Sequence, residues 1–286
     1  MTERLLDLSG RTDGLIPIFE DISRIAGSLG IPFFVIGATA RDLILELGYG
    51  IRSFRATRDL DLAIQVENWE QYNILSAALL ETGRFRKDRS PHSFIYKEEQ
   101  YIDIIPFGQI QNSEGEITWP PENETSMSVI GFSEAYENTL RVRLRAEPVL
   151  DAKVASLPGL TALKLISWND RRAGEDRDAS DLAHIIKHYY QAGNEDRLFN
   201  EKYNIMEELD HRIEEAGARL LGHDIEAIVK QETKELILRI LDEETDEAGQ
   251  FKLATTMVGR SITFDRDLDK CKTLLIELKK GIYGTP

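Results

Sequence analysis

Thr57-Arg58-Asp59-Leu60-Asp61-Leu62-Ala63-Ile64 is the stretch on which the fold turns. Its alternation predicts a strand, because successive strand side chains point to opposite faces. Asp59 and Asp61 then share one face, and Leu60, Leu62 and Ile64 the other. Two carboxylates side by side repel one another, a poor structural choice unless cations lie between them. A third acid, Asp103, sits in a second strand-like run, YIDIIPF (residues 101–107). Upstream, an apolar run ends in IGATARD (residues 36–42), where Gly37 stands 22 residues before Asp59. Asp103 follows Asp61 by 42 residues. A glycine turn, a carboxylate pair and a lone carboxylate on a neighbouring strand suit the holding of a divalent cation and a nucleoside triphosphate.

The surrounding chain supports that order of elements. Residues 15–29 carry apolar side chains at helical spacing and stop at Gly30, as a C-terminal glycine requires. IPFFVIG (31–37) reads as a short buried strand and ATARDLILELG (38–48) as a helix, which puts Gly37 at a strand–turn–helix junction. NWEQYNILSAALLETG (68–83) is a helix with Asn68 as its cap. SFIYKEE (93–99) and YIDIIPF read as a hairpin. Residues 109–125 read as a loop with Trp119-Pro120-Pro121 as a rigid point, and SVIGF, LRVRL and EPVLDAKVAS as short strands. From Pro158 onward strand signals stop. PGLTALKLISWNDRR and ASDLAHIIKHYYQAG are helices, followed by amphipathic helices at 201–221, 225–241 and 268–280. The expected fold class is α+β: a mixed β-sheet with flanking helices over residues 1–155, then an all-α domain over 156–286. A chain of 286 residues has room for two domains at about 150 residues each.

Composition narrows the function classes. The net charge is −15 and the pI near 4.9, which argues against a broad, non-specific grip on nucleic acid. A local basic groove is still compatible. Arg52, Arg55 and Arg58 recur every three residues, Arg141, Arg143 and Arg145 alternate, and Arg171, Arg172 and Arg177 cluster. These are either ion-paired solvated faces or a basic rim around an acidic centre. No apolar run approaches the ~18 residues of a membrane span, and the N-terminus lacks the basic start and apolar stretch of a secretory signal. Cys271 is the sole cysteine, so no intrachain disulfide forms, as suits a reducing cytosol. The expectation is a cytoplasmic protein without a membrane partner. His184 and His188, four apart on a predicted helix, read as packing or surface residues, since no third metal ligand accompanies them.

Nucleotidyl transfer needs Mg²⁺ or Mn²⁺ clamping the attacking and leaving oxygens at the α-phosphate, and Mg²⁺ favours one or two carboxylates plus phosphate oxygens. Asp59 and Asp61 supply a shared metal face. Asp103 completes a metal site and orients or deprotonates the incoming hydroxyl. Gly37 lets the backbone approach the β and γ phosphates, Thr39 offers a hydroxyl, and the helix beginning near Ala38 aims N–H groups at the same anion.

IGATARDLILE, RDLDLAI and YIDIIPF together resemble the DNA polymerase β-type nucleotidyltransferase superfamily. The resemblance implies the nucleotidyltransferase fold, with Gly37 and Ala38 as its phosphate turn, Thr39 in the hydroxyl role, and Asp59, Asp61 and Asp103 as metal ligands. Ala38 departs from the Gly or Ser usual there. In the second half, VASLPGLTALKLISWNDRRAGEDRDASDLAHII is similar to the lysine-helix and KDxxD-like segments of AbiEii-type toxins of abortive-infection and toxin–antitoxin systems. That similarity implies Lys164 as a triphosphate-binding lysine, Asp178 as a further active-site acid, Asp181 as the motif's second acid, and Arg171 or Arg172 as a phosphate-neutralising cation; Arg177 stands where the motif has Lys. An active-site anion would then accompany Lys164 on its apolar helix, against the plainer reading of a snorkelling lysine. GATARDLIL also resembles the GGxxRD turn of tRNA CCA-adding enzymes and bacterial poly(A) polymerases, in which Arg41 and Asp42 orient the turn and Arg41 counts among the nucleotide-holding residues, but their nucleotide-selecting helix is not evident here.

The expected function is transfer of a nucleoside monophosphate from a nucleoside triphosphate co-substrate to an RNA, tRNA above all, or to a protein hydroxyl, with a cognate antitoxin as partner. One alternative is a small-molecule nucleotidyltransferase, for which acidic charge suits a cationic antibiotic. Another is a catalytically silent nucleotide-binding or antitoxin-like protein.

Overall fold

The computed structural model describes residues 5–54, 59–97, 99–120, 126–171, 176–259 and 263–284. Arg55, Arg58 and Arg172, with Thr57 and Pro121, lie outside the described residues. The chain divides into two compact units, Met1–Ser156 and Leu157–Pro286.

The first unit runs β1 (Leu5–Asp7), α1 (Ile16–Ser28), β2 (Phe33–Ile36), α2 (Gly37–Asp42), β3 (Asp59–Val66), α3 (Trp69–Glu81), β4 (Phe85–Lys87), β5 (Ser93–Tyr96) and β6 (Gln100–Gly108). It continues through β7 (Glu116–Thr118), β8 (Ser126–Ser128), α4 (Phe132–Glu137), β9 (Thr139–Arg145) and β10 (Leu150–Ala155). Helix α2 passes into a π-helical turn at Leu43–Gly48. Eight strands form one mixed sheet in the order β1-β9-β10-β2-β3-β6-β5-β4, and β7 and β8 pair as a separate ribbon. Strand β3 is antiparallel to β2 and parallel to β6. Its even positions Leu60, Leu62 and Ile64 are buried while Asp59 is exposed, so the alternation predicted from the sequence holds. The Asn68 side chain accepts from the Gln71 N–H and starts α3, the crossover that returns the chain to a parallel β6. Buried Asp21 on α1 accepts two hydrogen bonds from Arg84 (2.6 and 2.8 Å) and one from the Tyr96 hydroxyl (2.8 Å). That network fastens α1 to the β4–β5 edge.

Several expected boundaries differ. The span 109–125 holds β7, which pairs antiparallel with β8. SVIGF is not a strand: β8 ends at Ser128, and Gly131, with φ +83, precedes α4. Strands β1 and β4, three residues each, are too short to leave a periodic signal.

Among its described residues the second unit has no strand. Its helices are α5 (Leu157–Asp170), α6 (Arg177–His188), α7 (Tyr203–Glu208), α8 (Ile213–Glu226), α9 (Gln231–Thr245), α10 (Lys252–Val258) and α11 (Phe264–Tyr283). The single helix expected over 201–221 is broken into α7 and α8, because Asp210 and His211 take left-handed backbone (φ +49 and +59). The helix expected over 225–241 is likewise divided between α8 and α9. Helices α8 and α11 cross closely: a Cβ on Gly222 would lie 2.2 Å from the Leu278 carbonyl oxygen, and one on Gly281 2.1 Å from that of Arg219. The rings of His184 and His188 pack at 4.6 Å, and His188 Nδ1 lies 2.8 Å from the His184 carbonyl oxygen. No helix among the described residues is long and apolar enough to cross a membrane.

Candidate active site

Strand register builds the site in the first unit. Residues paired across neighbouring strands share a face, so Asp61, opposite both Ile36 on β2 and Asp103 on β6, stands beside Asp103. Asp103 in turn faces Ser93 on β5. Asp59, two residues before Asp61, shares the face and pairs with Tyr101. The result is one row, Asp61–Asp103–Ser93, and beside it a second, Asp59–Tyr101–Ile95–Arg86, since Ile95 pairs with both Tyr101 and Arg86.

Gly37, the first residue of α2, has φ +67. A Cβ there would lie 1.9 Å from Asp61 Oδ2 and 2.9 Å from Asp61 Cβ. Glycine is therefore required twice over, by the backbone conformation and by the carboxylate packed against it. Sequence reasoning assigned the glycine to phosphate approach; the close approach seen is that of Asp61. Thr39, expected to meet a phosphate oxygen, is buried and donates its hydroxyl to the Asp59 carbonyl oxygen at 2.8 Å. It ties the turn to β3. Arg41, expected among the nucleotide-holding residues, is completely buried. Its Nε and Nη2 donate to Asp42 Oδ1 at 2.8 and 2.6 Å, and its guanidinium lies 5.0 Å from the Phe54 ring centroid. Arg41 thus braces the turn from within. Ala38 is also buried.

Asp103 has neighbours that sequence reasoning missed. Ser93 Oγ donates to its Oδ1 at 2.5 Å, and His92 Nε2 lies 4.0 Å from its Oδ2. The His92 ring packs 5.5 Å from Trp119, which itself packs on Trp69 and Tyr72. Burial pushes the His92 pKa down, with Lys87 adding to this and Asp103 opposing it. The Lys87 ammonium sits 3.9 Å from the Phe94 centroid and donates to the Pro91 carbonyl oxygen at 2.8 Å. Although the residue as a whole is exposed, burial of its headgroup brings it down to about 8. Burial, and then Asp103, push the Tyr72 phenol up. The one legible signal for these residues was the polar stretch RKDRSPHS (86–93) leading into β5.

Among the described residues, no three His, Cys, Asp or Glu side chains close into a metal cage. The donor set nevertheless fits a hard divalent cation. Carboxylates line one face of two paired strands, and Gly37, lacking a Cβ, leaves room beside its turn for the Asp61 carboxylate. Mg²⁺ bound by one or two carboxylates, with substrate phosphates and water filling its shell, needs no all-protein cage.

In the second unit, the Lys164 ammonium is buried between Asp178 Oδ1 (3.0 Å) and Asp181 Oδ2 (2.7 Å). Asp178 also accepts from Arg171 at 2.9 Å and lies in the first turn of α6, where the helix dipole favours an anion. The anion that lets Lys164 stay buried is thus this carboxylate pair. The motif's spacing had pointed to Lys164 and Asp178; it did not reveal that they neutralise each other. Other basic clusters are paired as well: Arg141 and Arg143 with Asp151, Arg145 with Glu20.

A family model described as nucleotidyl transferase AbiEii toxin, Type IV TA system, matches residues 22–268. No curated protein matches the chain. Among solved structures, the antibiotic-resistance factor ANT(2'')-Ia in solution is 13% identical over 70% of this chain and 98% of its own, with a TM-score of 0.38. The lincosamide antibiotic adenylyltransferase LnuA, lincomycin-bound, is 13% identical over 60% of this chain and 94% of its own, with a TM-score of 0.36.

Proposed function

The chain belongs to the AbiEii nucleotidyltransferase toxin family and is a nucleotidyltransferase, and we propose that it transfers a nucleoside monophosphate from a nucleoside triphosphate to an RNA hydroxyl, with Mg²⁺ or Mn²⁺ as cofactor. The observation that carries this reading is the register that sets Asp61 opposite Asp103, with Gly37 pressed against Asp61. Asp59, Asp61 and Asp103 would hold the cation, with phosphate oxygens completing its shell. When bound, that cation supplies charge neutralisation at the α-phosphate and pyrophosphate oxygens.

The remaining chemistry falls to the chain's own groups. The acceptor oxygen bonds to the α-phosphorus while the bond to pyrophosphate breaks. Asp103 Oδ2 takes the hydroxyl's proton, and Ser93 holds Oδ1 so that the carboxylate keeps its orientation. The Gly37 turn, braced by Thr39 on β3 and by Arg41 on Asp42, gives the triphosphate a rigid backbone to lie against. Lys164, Asp178 and Arg171 form a separate, charge-compensated cluster within the second unit. Toxicity, and neutralisation by a cognate antitoxin, belong to the same proposal.

The test is label transfer. With Mg²⁺, each α-labelled nucleoside triphosphate in turn, and total cell RNA, the protein should label RNA; Asp59→Ala and Asp61→Ala should stay folded and fall to background. Label appearing only on protein or on a small cationic acceptor would refute the acceptor assignment. Undiminished transfer by both variants would refute the site.

A further inference from the structure

The hairpin that ends beside Asp103 carries four basic residues in six positions, Arg84, Arg86, Lys87 and Arg89, within a chain of net charge −15. Two are held internally: Arg84 by Asp21, and Lys87 by the Pro91 carbonyl and the Phe94 ring. Arg86 and Arg89 are exposed and pair with no acid among the described residues. Elsewhere arginines on the sheet are neutralised, Arg141 and Arg143 by Asp151 and Arg145 by Glu20. Among the described arginines on the strands, Arg86 is thus the one without an acidic partner.

Register gives Arg86 a place in the site, and Arg89 follows it in the connection to β5. Arg86 ends the row that begins at Asp59, on the face that carries all three carboxylates. Between them stands Tyr101, about half exposed at 47%, with buried Ile95 next to it. At about 4.8 Å per strand, the row from Asp59 to Arg86 spans about 14 Å. An exposed aromatic ring between metal-binding carboxylates and a free guanidinium is the pairing by which proteins hold single-stranded nucleic acid. The ring stacks a base irrespective of its identity, and the cation meets the backbone phosphate.

We propose that Tyr101, Arg86 and Arg89 form the acceptor subsite, stacking the terminal base of a single-stranded RNA 3′ end on Tyr101 and taking the preceding phosphates on the two arginines. This rests on the reading of Asp59, Asp61 and Asp103 as the metal-binding acids. It also accounts for RNA recognition by an acidic protein: the grip is confined to one sheet edge.

The experiment uses the full chain and a 5′-fluorescent single-stranded RNA oligonucleotide with a free 3′ hydroxyl. Binding is read by anisotropy and transfer by gel extension. Tyr101→Ala should weaken binding and raise KM for RNA about tenfold or more, with KM for the triphosphate within twofold; Tyr101→Phe, which keeps the ring, should restore both. Arg86→Glu with Arg89→Glu should weaken binding, and Arg86→Ala alone should flatten the dependence of log affinity on log salt by about 0.7. Unchanged RNA binding in the Tyr101 and arginine variants would overturn the subsite, as would a rise in KM for the triphosphate in place of RNA. Asp59→Ala separates the two levels: if it transfers as well as wild type the underlying reading fails, whereas if it is inactive and Tyr101→Ala handles RNA normally only the subsite fails.

Discussion

Gly37→Ala, set against Gly30→Ala, tests the geometry of the carboxylate row. Both glycines have left-handed backbone, φ +67 and +65, so alanine incurs a similar strain at each, about 1–2 kcal/mol. In a domain of this size that shifts Tm by roughly 2–8 °C. The surroundings differ. At Gly30 a Cβ meets nothing within 4 Å, whereas at Gly37 it would lie 1.9 Å from Asp61 Oδ2, 2.7 Å from Cγ and 2.9 Å from Cβ. No rotation of χ1 relieves a clash with Cβ itself, so Asp61 or the turn must move. A displacement of about 1 Å at a reacting centre costs on the order of 100-fold in rate. Thermal melting should therefore show a loss for both variants, the larger at Gly37, where overpacking adds about 1–3 kcal/mol. Label transfer should show Gly30→Ala within a few-fold of wild type and Gly37→Ala down about 100-fold. Equal activity in the two variants would refute the claim that Gly37 is there to make room for Asp61.

Lys164→Ala leaves Asp178 and the completely buried Asp181 without their shared cation, a change of about 3–5 kcal/mol that a urea melt of the full chain would detect. Gly281→Ala gains helix propensity of about 1 kcal/mol but sets a methyl 2.1 Å from the Arg219 carbonyl oxygen. Net destabilisation of about 1–3 kcal/mol is expected, and a raised Tm would contradict the close α8–α11 crossing. Burial alone would raise the Asp21 pKa, but hydrogen bonds from Arg84 and Tyr96 outweigh it and hold the folded value below the ordinary 3.8. Its stabilising contribution is therefore present above that ordinary value and lost as pH falls through the lowered one. Asp21→Asn should be less stable at neutral pH and should flatten the acid limb of the stability curve.

The row of acids was legible in the sequence because strand alternation is local. Asp59 and Asp61 declare their shared face by being two apart, and the glycine, the helix signals and the lone Asp103 come in an order that one mixed sheet satisfies. The helical second half was equally plain, since amphipathic periodicity survives without tertiary context. Boundaries failed where single residues decide them, as at Asp210 and His211, whose left-handed backbone no periodicity announces.

What the sequence by itself determined was therefore the longer elements and the faces of their residues: which acids share a strand face, and where a glycine stands between strand and helix. Only the tertiary structure decided who stands next to whom. Register between strands distant in sequence set Asp61 against Asp103 and Asp103 against Ser93, and placed Asp59 in line with Tyr101 and Arg86. The fold also turned Thr39 and Arg41 inward as braces and gave Lys164 two carboxylates. The physical reason is that a side chain's type and face are local properties, whereas its partners depend on which strands and helices pack together.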